Sequence, residues 1–174
     1  MINNQELLYV VDEFDTPQKP QPRKKVFKDG LWRRTVHVWI LNNKNQILCQ
    51  KRSMKKDISP GMWESYAGGH VGHEDENYFI GAARELSEET GLSVLPKDLD
   101  LVKIYKADKF KEYRGIFTFK WDGNIDDLKS EEDEVDEVKF ININKVKKYL
   151  QEKDSNWCLP GYEEDIFSHI DNLN

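Results

Sequence analysis

The order of apolar and polar positions predicts paired strands with helices inserted between the pairs. Two β-rich runs within residues 33–53, joined across Asn42–Asn45, are typical of a hairpin. Helical periodicity begins at Asn77 and continues to Thr90, and Gly91 is suited to end that helix. The remaining predicted strands are residues 7–13, 99–107, 113–121 and 136–144, and the remaining predicted helices are 24–30, 145–153 and 161–173. This order favours an α/β fold with a mixed sheet between helices, an α/β/α sandwich, over a doubly wound parallel sheet.

The first part of the chain, residues 1–30, is predicted to form an N-terminal strand and a proline-rich extension. Prolines are frequent in residues 15–25, which favours extended or irregular backbone. Gly30 is placed to end a short helix that follows them. The chain of 174 residues contains no internal repeat and no linker long enough to separate domains. We therefore predict a single domain spanning residues 1–174.

The charge balance and the cysteine content restrict the partners and the compartment. The net charge is −6, whereas a general binder of nucleic-acid polymers needs a basic face. No apolar run approaches the roughly 20 residues that cross a bilayer, and the amino terminus lacks the pattern of a signal peptide. Cys49 and Cys158 belong to no CxxC pair, which favours a reducing compartment. We expect a cytoplasmic protein that binds neither nucleic-acid polymers nor membranes.

Three glutamates, Glu85, Glu88 and Glu89, crowd one turn of the central predicted helix. On a helix, Glu88 lies about 60° to one side of Glu85 and Glu89 about 40° to the other, so the carboxylates share one face. Like charges at this spacing oppose helix formation by roughly 0.2–0.5 kcal/mol per pair. A solvated surface tolerates that cost and a divalent cation would remove it, so both interpretations fit the pattern.

A glycine-rich loop with Gly68, Gly69 and Gly72 precedes this helix. Glycine permits positive φ and a close approach of the backbone to a ligand, and free N–H groups at the start of a helix suit anionic oxygens. Carboxylate oxygens suit Mg²⁺ or Mn²⁺, and such an ion can hold a phosphate chain. The loop and the helix together favour a metal site.

The stretch GGHVGHEDENYFIGAARELSEETGL resembles the signature box of the Nudix hydrolases, G-x5-E-x7-R-E-U-x-E-E-x-G-U, in which U is aliphatic. Six residues separate Gly69 from Glu76 where the family has five, so the loop carries one extra residue and Asp75 takes the in-register position. Flanking residues 34–53, 59–65 and 132–146 extend the likeness over most of the chain. Residues 35–41, 50–53, 59–65 and 68–71 resemble the isopentenyl-diphosphate isomerase branch in particular. The matching box residues are Glu76, Arg84, Glu85, Leu86, Glu88, Glu89, Gly91 and Leu92.

The resemblance implies a Nudix fold and hydrolysis, dependent on Mg²⁺ or Mn²⁺, of the P–O–P bond of a small nucleotide-like or other organic diphosphate. Glu85, Glu88 and Glu89 would bind the metal, and the last two would also orient the attacking water. Arg84 would pair with Glu76 and order the junction between loop and helix. The general base is left open between a helix glutamate and an acid in residues 131–137.

Substrate contacts are predicted for Gly68 and Gly69 in the loop and for His70, Lys51 and Arg52 beside it. Lys51 and Arg52 end the second hairpin strand, and Arg52 suits bidentate contact with phosphate. An exposed charge at a strand end explains Arg52 equally well. His70 is either a phosphate contact or an ordinary loop histidine.

Two alternatives to hydrolysis stay open at this point. An isomerase of the related branch needs a cysteine where this chain has Ala67, and its metal site needs several histidines, of which only His37 and His70 have counterparts. His37 lies in an apolar strand and is better explained as a packed histidine. The second alternative is a catalytically silent Nudix fold that binds a nucleotide or a protein, but no box glutamate has been lost. A homodimer is compatible with each of these interpretations.

Overall fold

A seven-stranded mixed sheet forms the centre of the computed structural model, which describes residues 6–56, 58–129 and 134–173. Its strand order is β6-β5-β4-β8-β7, with β2 pairing on β4 and β9 pairing on β5. Strands β4 and β8 are parallel, and the other pairs in the sheet are antiparallel. The strands are β1 Leu7–Leu8, β2 Val10–Val11, β3 Gln21–Pro22, β4 Trp32–Asn42, β5 Gln46–Arg52, β6 Trp63–Glu64, β7 Asp100–Ala107, β8 Glu112–Lys120 and β9 Val135–Asn142. The helices are α1 Arg23–Asp29, α2 Tyr78–Thr90, α3 Ile143–Gln151 and α4 Glu163–Leu173.

The sheet separates two hydrophobic cores because side chains on a strand alternate between its faces. On β4, Val36, Val38 and Ile40 pack with helix α2, whereas Trp39 and Leu41 pack with α3 and α4. Burial on both faces explains why β4 is apolar over most of its length instead of alternating. The predicted α/β/α sandwich with a mixed sheet is confirmed.

Helix α2 begins and ends as the sequence predicts. The side chain of Asn77 caps it by accepting hydrogen bonds from the backbone N–H groups of Phe79 and Ile80, at 2.9 and 3.1 Å. Gly91 ends it in the left-handed region with φ of 72°, a conformation that glycine adopts without a steric penalty. These two caps fix the position of the acidic turn relative to the glycine loop.

The N-terminal segment is more divided than predicted. The single strand expected at residues 7–13 is two short strands, and β1 pairs with β3 while β2 pairs with β4. Helix α1 follows and ends at Gly30, whose φ is 61°, as predicted. Leu8, Val10 and Val26 form a third, small core that holds α1 against these strands. The segment thereby lies beside the glycine loop, since the N–H of Tyr9 donates to the carbonyl of Val71 at 3.0 Å.

Within the described ranges, no helix is long and apolar enough to cross a membrane.

Candidate active site

The three box glutamates lie on one side of α2 with different degrees of exposure. The side chain of Glu85 is 13% exposed and that of Glu88 is 60% exposed, while Glu89 is partly buried. Arg84 joins the first two, because its Nη1 donates to Glu85 Oε1 at 2.9 Å and to Glu88 Oε2 at 3.0 Å. The repulsion anticipated between these carboxylates is therefore reduced by a guanidinium group inside the cluster.

Arg84 does not pair with Glu76, so that prediction is wrong. Its Nε and Nη2 donate to the two carboxylate oxygens of Asp75 at 3.1 and 2.8 Å, and Nη2 also donates to the carbonyl of His70 at 3.0 Å. Asp75 is buried, whereas Glu76 is exposed. The physical reason is the tight turn of the loop, in which Asp75 also accepts from the N–H of Gly72 at 2.7 Å. That turn directs the in-register acid toward the helix, and the Asp75 bond raises the pKa of Arg84 further above its ordinary value.

The glycine loop lies directly against the glutamates. The N–H of Gly68 donates to Glu89 Oε2 at 3.0 Å. A Cβ on Gly69 would stand 2.4 Å from Glu85 Oε2, and a Cβ on Gly68 would stand 1.9 Å from the carbonyl oxygen of Val36. Neither glycine has a positive φ, and the same holds for Gly72, so the loop uses the close approach that glycine permits and not the left-handed conformation. At Gly68 glycine is required because the loop backbone approaches the backbone of β4 too closely for a side chain, and at Gly69 a side chain would displace the Glu85 carboxylate.

A further carboxylate, that of the buried Glu64 on β6, lies beside Glu89. Glu64 is 7% exposed, and Arg52 Nη1 donates to its Oε1 at 2.8 Å. The side-chain amide of Gln50 lies 3.5 Å from Glu64 Oε2 and 3.5 Å from Glu89 Oε2, and it donates to the carbonyl of Tyr66 at 3.2 Å. Glu64 was not predicted as a site residue, because its only signal in the sequence is one acid after a tryptophan in a short strand.

Arg52, predicted to contact substrate, is held inside this same network. Besides its bond to Glu64, its Nε donates to the carbonyl of Ile58 at 2.9 Å. Lys51 lies next to it on β5, opposite Trp63 on one side and Glu137 on the other. The described acids of the 131–137 run have partners of their own, and residues 131–133 lie outside the described residues. Those contacts are Glu134 with Lys56, Asp136 with the N–H of Met54, and Glu137 with Lys139.

Burial changes the proton affinity of two of the box glutamates. Burial, only partly offset by Arg84, raises the pKa of Glu85 to about 7. Burial and the neighbouring carboxylates of Glu64 and Glu85 raise the pKa of Glu89 to about 8. Glu85 and Glu89 are therefore poorly compensated when ionised, which is the condition that a divalent cation relieves.

The donor set fits a hard divalent cation, although its members do not form a closed cage. Within the described part of the chain, no three acidic, histidine or cysteine side chains already converge on one point. The oxygens of Glu85, Glu88 and Glu89 are nonetheless the ligand type that Mg²⁺ and Mn²⁺ prefer. Magnesium commonly keeps several waters and uses only one or two carboxylates, so an open set of this kind is suited to it.

The two histidines near the loop have different surroundings. His37 is 8% exposed, stacks on Tyr66 with ring centroids 3.9 Å apart, and its Nδ1 lies 2.6 Å from the hydroxyl of Tyr162. Burial and the charge of Arg114 lower the pKa of His37 well below its ordinary value, and the prediction of a packed histidine is confirmed. His70 turns its ring away from the glutamates toward α1, where it contacts Arg23 at 3.2 Å.

The mixed sheet and the carboxylate face beneath a glycine loop define an α/β/α protein whose candidate site lies on its central helix. A family model described as "NUDIX domain" matches residues 31–161, and the chain belongs to that family. "Nudix hydrolase 3" of Arabidopsis thaliana is 31% identical over 146 residues, which is 77% of this chain and only 19% of that protein. "Isopentenyl-diphosphate Delta-isomerase 2" of Photorhabdus laumondii is 30% identical over 150 residues, 82% of this chain and 80% of that protein.

A solved structure supports the same fold. The crystal structure of DR0079 from Deinococcus radiodurans aligns with a TM-score of 0.68 and 19% identity, covering 84% of this chain and 89% of that one. The resemblance to the Nudix family and to its isomerase-like branch is confirmed.

Proposed function

We propose that this protein is a hydrolase dependent on Mg²⁺ or Mn²⁺ that cleaves the P–O–P bond of a small organic diphosphate. The observation that carries the proposal is the group of carboxylates at Glu85, Glu89 and Glu64, two of them with raised pKa values, against which the Gly68–Gly69 backbone is packed. A cation there would neutralise the carboxylates and attract the oxygens of a diphosphate. When bound, the ion would supply charge stabilisation at phosphorus and lower the pKa of a water molecule.

The residues of the chain have separate tasks in this reaction. Glu85, Glu88 and Glu89 would hold the cation, and Glu88 or Glu89 would orient the attacking water and accept its proton. The water oxygen bonds to phosphorus, the bridging P–O bond breaks, and the departing oxygen carries the electron pair away with its phosphate. Arg84 and Asp75 act as positioning residues, because their ion pair holds the loop against the helix.

Substrate contacts would come from the glycine loop and from the end of β5. In support, Gly68 and Gly69 pack against Glu89 and Glu85, and Lys51 and Arg52 end β5, where Arg52 bonds to Glu64. For Arg52 to bind phosphate, the substrate would have to replace its bond to Glu64 or to Ile58.

Isomerisation is the second candidate, supported by the relative from Photorhabdus laumondii. Against it stands Ala67, which is 4% exposed and pairs its backbone with Val38. A methyl group can neither donate nor accept the proton that moves along a carbon skeleton. A silent, binding-only Nudix fold is disfavoured because all three helix glutamates are present.

We place the reaction in the cytoplasm, since both thiols, Cys49 and Cys158, are free. We further propose a single domain over residues 1–174, and a homodimer is compatible with this function.

The test is a panel of organic diphosphates assayed with Mg²⁺ and with Mn²⁺, followed by product analysis in ¹⁸O-labelled water. We expect phosphate or a monophosphate among the products, with the label at phosphorus. Glu89→Gln should lower kcat by at least roughly 10²-fold, the lower range for a positioned acid–base group. Glu152→Gln, the same chemical change on an exposed residue of the α3 terminus, should leave turnover unchanged. Conversion of isopentenyl diphosphate to its allylic isomer without phosphate release would refute hydrolysis.

A further inference from the structure

Two buried arginines on neighbouring strands share one carboxylate. Arg33 on β4 is 6% exposed and Arg114 on β8 is 8% exposed. Both bond to Glu112, through Arg33 Nη2 to Oε1 at 2.6 Å and Arg114 Nε to Oε2 at 2.8 Å. One buried carboxylate cannot neutralise two guanidinium groups, and buried uncompensated charge is costly. Burial and the neighbouring arginines accordingly lower the pKa of Arg33.

A third arginine extends the excess of positive charge. Arg23, the first residue of α1, bonds to Glu6 at 3.2 Å, and its side chain is 27% exposed. The same Nη1 atom lies 3.2 Å from His70 Nδ1. Together, Arg23, Arg33 and Arg114 carry three positive charges against the two carboxylates of Glu6 and Glu112 that bond to them in the described part of the chain.

His70 exposes a mismatch in hydrogen bonding between these groups. Its Nε2 accepts from Arg33 Nε at 3.2 Å, and its Nδ1 faces Arg23 Nη1 at 3.2 Å. A neutral imidazole has one acceptor nitrogen and one N–H donor, and a protonated one has two donors. Burial and the two arginines lower the pKa of His70 well below its ordinary value, which favours the neutral ring, and the mismatch holds for either form. At least one ring nitrogen therefore points an N–H toward a guanidinium N–H, and an acceptor between them is missing.

An unpartnered hydroxyl lies on the same face of the sheet. Thr35 follows Arg33 by two positions on β4 and pairs with Arg114 across to β8, so its side chain shares their face. It is 5% exposed, and its Oγ1 has no hydrogen-bond partner. Buried hydroxyl groups are normally bonded, and this one is a donor available to an oxyanion.

The group lies next to the candidate active site, and Arg23 is the most exposed of its arginines, with 27% of its side chain accessible. The rings of Phe27 on α1 and His70 meet in a T-shaped contact with centroids 5.6 Å apart. The guanidinium carbon of Arg33 lies 4.3 Å from the centroid of the Phe27 ring, and Phe27 is 44% exposed. His70 follows Gly69, which abuts Glu85, and the carbonyl of His70 binds Arg84. An anion held at His70 would thus lie on the other side of the glycine loop from the glutamates.

We propose that Arg23, His70 and Arg33, backed by Arg114 and Thr35, form an oxyanion-binding subsite for a group of the phosphate class. The oxyanion supplies the acceptor that the N–H of His70 lacks, and its charge offsets the surplus of the three arginines. The oxyanion has two possible sources, a further anionic group of the substrate and a free phosphate ion. The subsite does not depend on the proposed hydrolysis, because metal-free binding tests it separately.

The experiment is a calorimetric titration of inorganic phosphate and pyrophosphate into the full chain, with a chelator present and the ionic strength fixed with chloride. We expect saturable binding at one site. His70→Phe keeps an aromatic ring but removes the donor, and Arg23→Met removes the charge while keeping the chain length. Each should weaken binding by about tenfold or more, the usual worth of a hydrogen bond to a charged group.

Two control variants distinguish a specific subsite from general attraction to positive charge and from binding at the carboxylates. Lys25→Met removes one positive charge from the same helix, where Lys25 pairs with Asp29, and it should change the affinity by less than about twofold. The Glu88→Gln plus Glu89→Gln double variant, which disables the metal site, should bind phosphate as the wild type does. If Lys25→Met weakens binding as much as Arg23→Met, or if the double variant abolishes binding, the subsite is refuted. If His70→Phe does not fold, Arg23→Met tests the proposal by itself, because Arg23 is partly exposed and its replacement disturbs the core less.

Inhibition of turnover identifies the source of the anion. If phosphate inhibits competitively, and Arg23→Met relieves that inhibition, the subsite receives an anionic group of the substrate. If phosphate acts without competing, and Arg23→Met still relieves it, the subsite binds the free ion. If Arg23→Met changes neither the inhibition by phosphate, whether competitive or not, nor the affinity for phosphate, the proposal is overturned.

Discussion

Replacing Asp75 by asparagine should destabilise the protein far more than replacing its neighbour Glu76 by glutamine. The side chain of Asp75 is 5% exposed and accepts hydrogen bonds from Nε and Nη2 of Arg84. Its turn also depends on the N–H of Gly72, which donates to it at 2.7 Å. Glu76 is exposed, and surface changes of this kind normally stay within about 0.5 kcal/mol.

The magnitude follows from the type of contact. Breaking a buried ion pair by removing one partner costs about 3–5 kcal/mol, and the lower end applies here because Arg84 is 34% exposed and keeps Glu85 and Glu88 as partners. A loss of about 3 kcal/mol lowers the melting temperature by roughly 6–12 °C for a protein of this length. The side-chain oxygen of the introduced asparagine can still accept from Gly72, so the loss reports mainly on the charge that Arg84 loses.

The assay is urea denaturation followed by circular dichroism, with calorimetry to check the melting temperature. Glu76→Gln is the matched control, because it neutralises one acid in the same loop. Equal effects of Asp75→Asn and Glu76→Gln would show that contacts other than the Asp75–Arg84 ion pair hold the loop against the helix. A loss below about 1 kcal/mol for Asp75→Asn would show that this ion pair is worth no more than a surface one.

Three further predictions concern the carboxylate site. Without metal, the free energy of unfolding should fall as the pH rises from about 4.5 to about 8 and then level off, because Glu89 loses its proton near pH 4.5 in the unfolded chain but only near pH 8 in the folded protein. Urea titrations at several pH values should show a weaker decline in Glu89→Gln, and an equal decline in both proteins would contradict the prediction. Glu64→Gln removes a charge that raises the pKa of Glu89, so the same titrations should show the decline ending at a lower pH, and an unchanged end point would argue against the coupling. Gly69→Ala puts a Cβ 2.4 Å from Glu85 Oε2, whereas the Cβ of the control Gly72→Ala lies 3.4 Å from its nearest atom. Titration with Mn²⁺ should show an affinity lowered about 10–100-fold in Gly69→Ala only, and equal Mn²⁺ affinities of the two variants would place the metal elsewhere.

The acidic helix and its caps could be predicted because their causes are local. The period of apolar positions, the Asn77 cap and the Gly91 stop act within a few residues of one another, so the chain itself defines α2 and its carboxylate face. The strands of the sheet follow from composition in the same way. The division of residues 7–13 into β1 and β2 could not be predicted, since it depends on pairing with β3 and β4, which are distant in sequence.

The contacts of the site were decided by tertiary structure. The resemblance to the family implied that Arg84 pairs with an acid from the loop, and the sequence contains both Asp75 and Glu76 there. Only the folded turn buries one of them, because the N–H of Gly72 donates to Asp75 and that turn directs Asp75 toward the helix. In the same way, Glu64 reaches Glu89 only because β6 pairs with β5 and brings Gln50 between them. Local sequence determines which residues share a face, and packing between distant segments determines which partners and what solvation each charge receives.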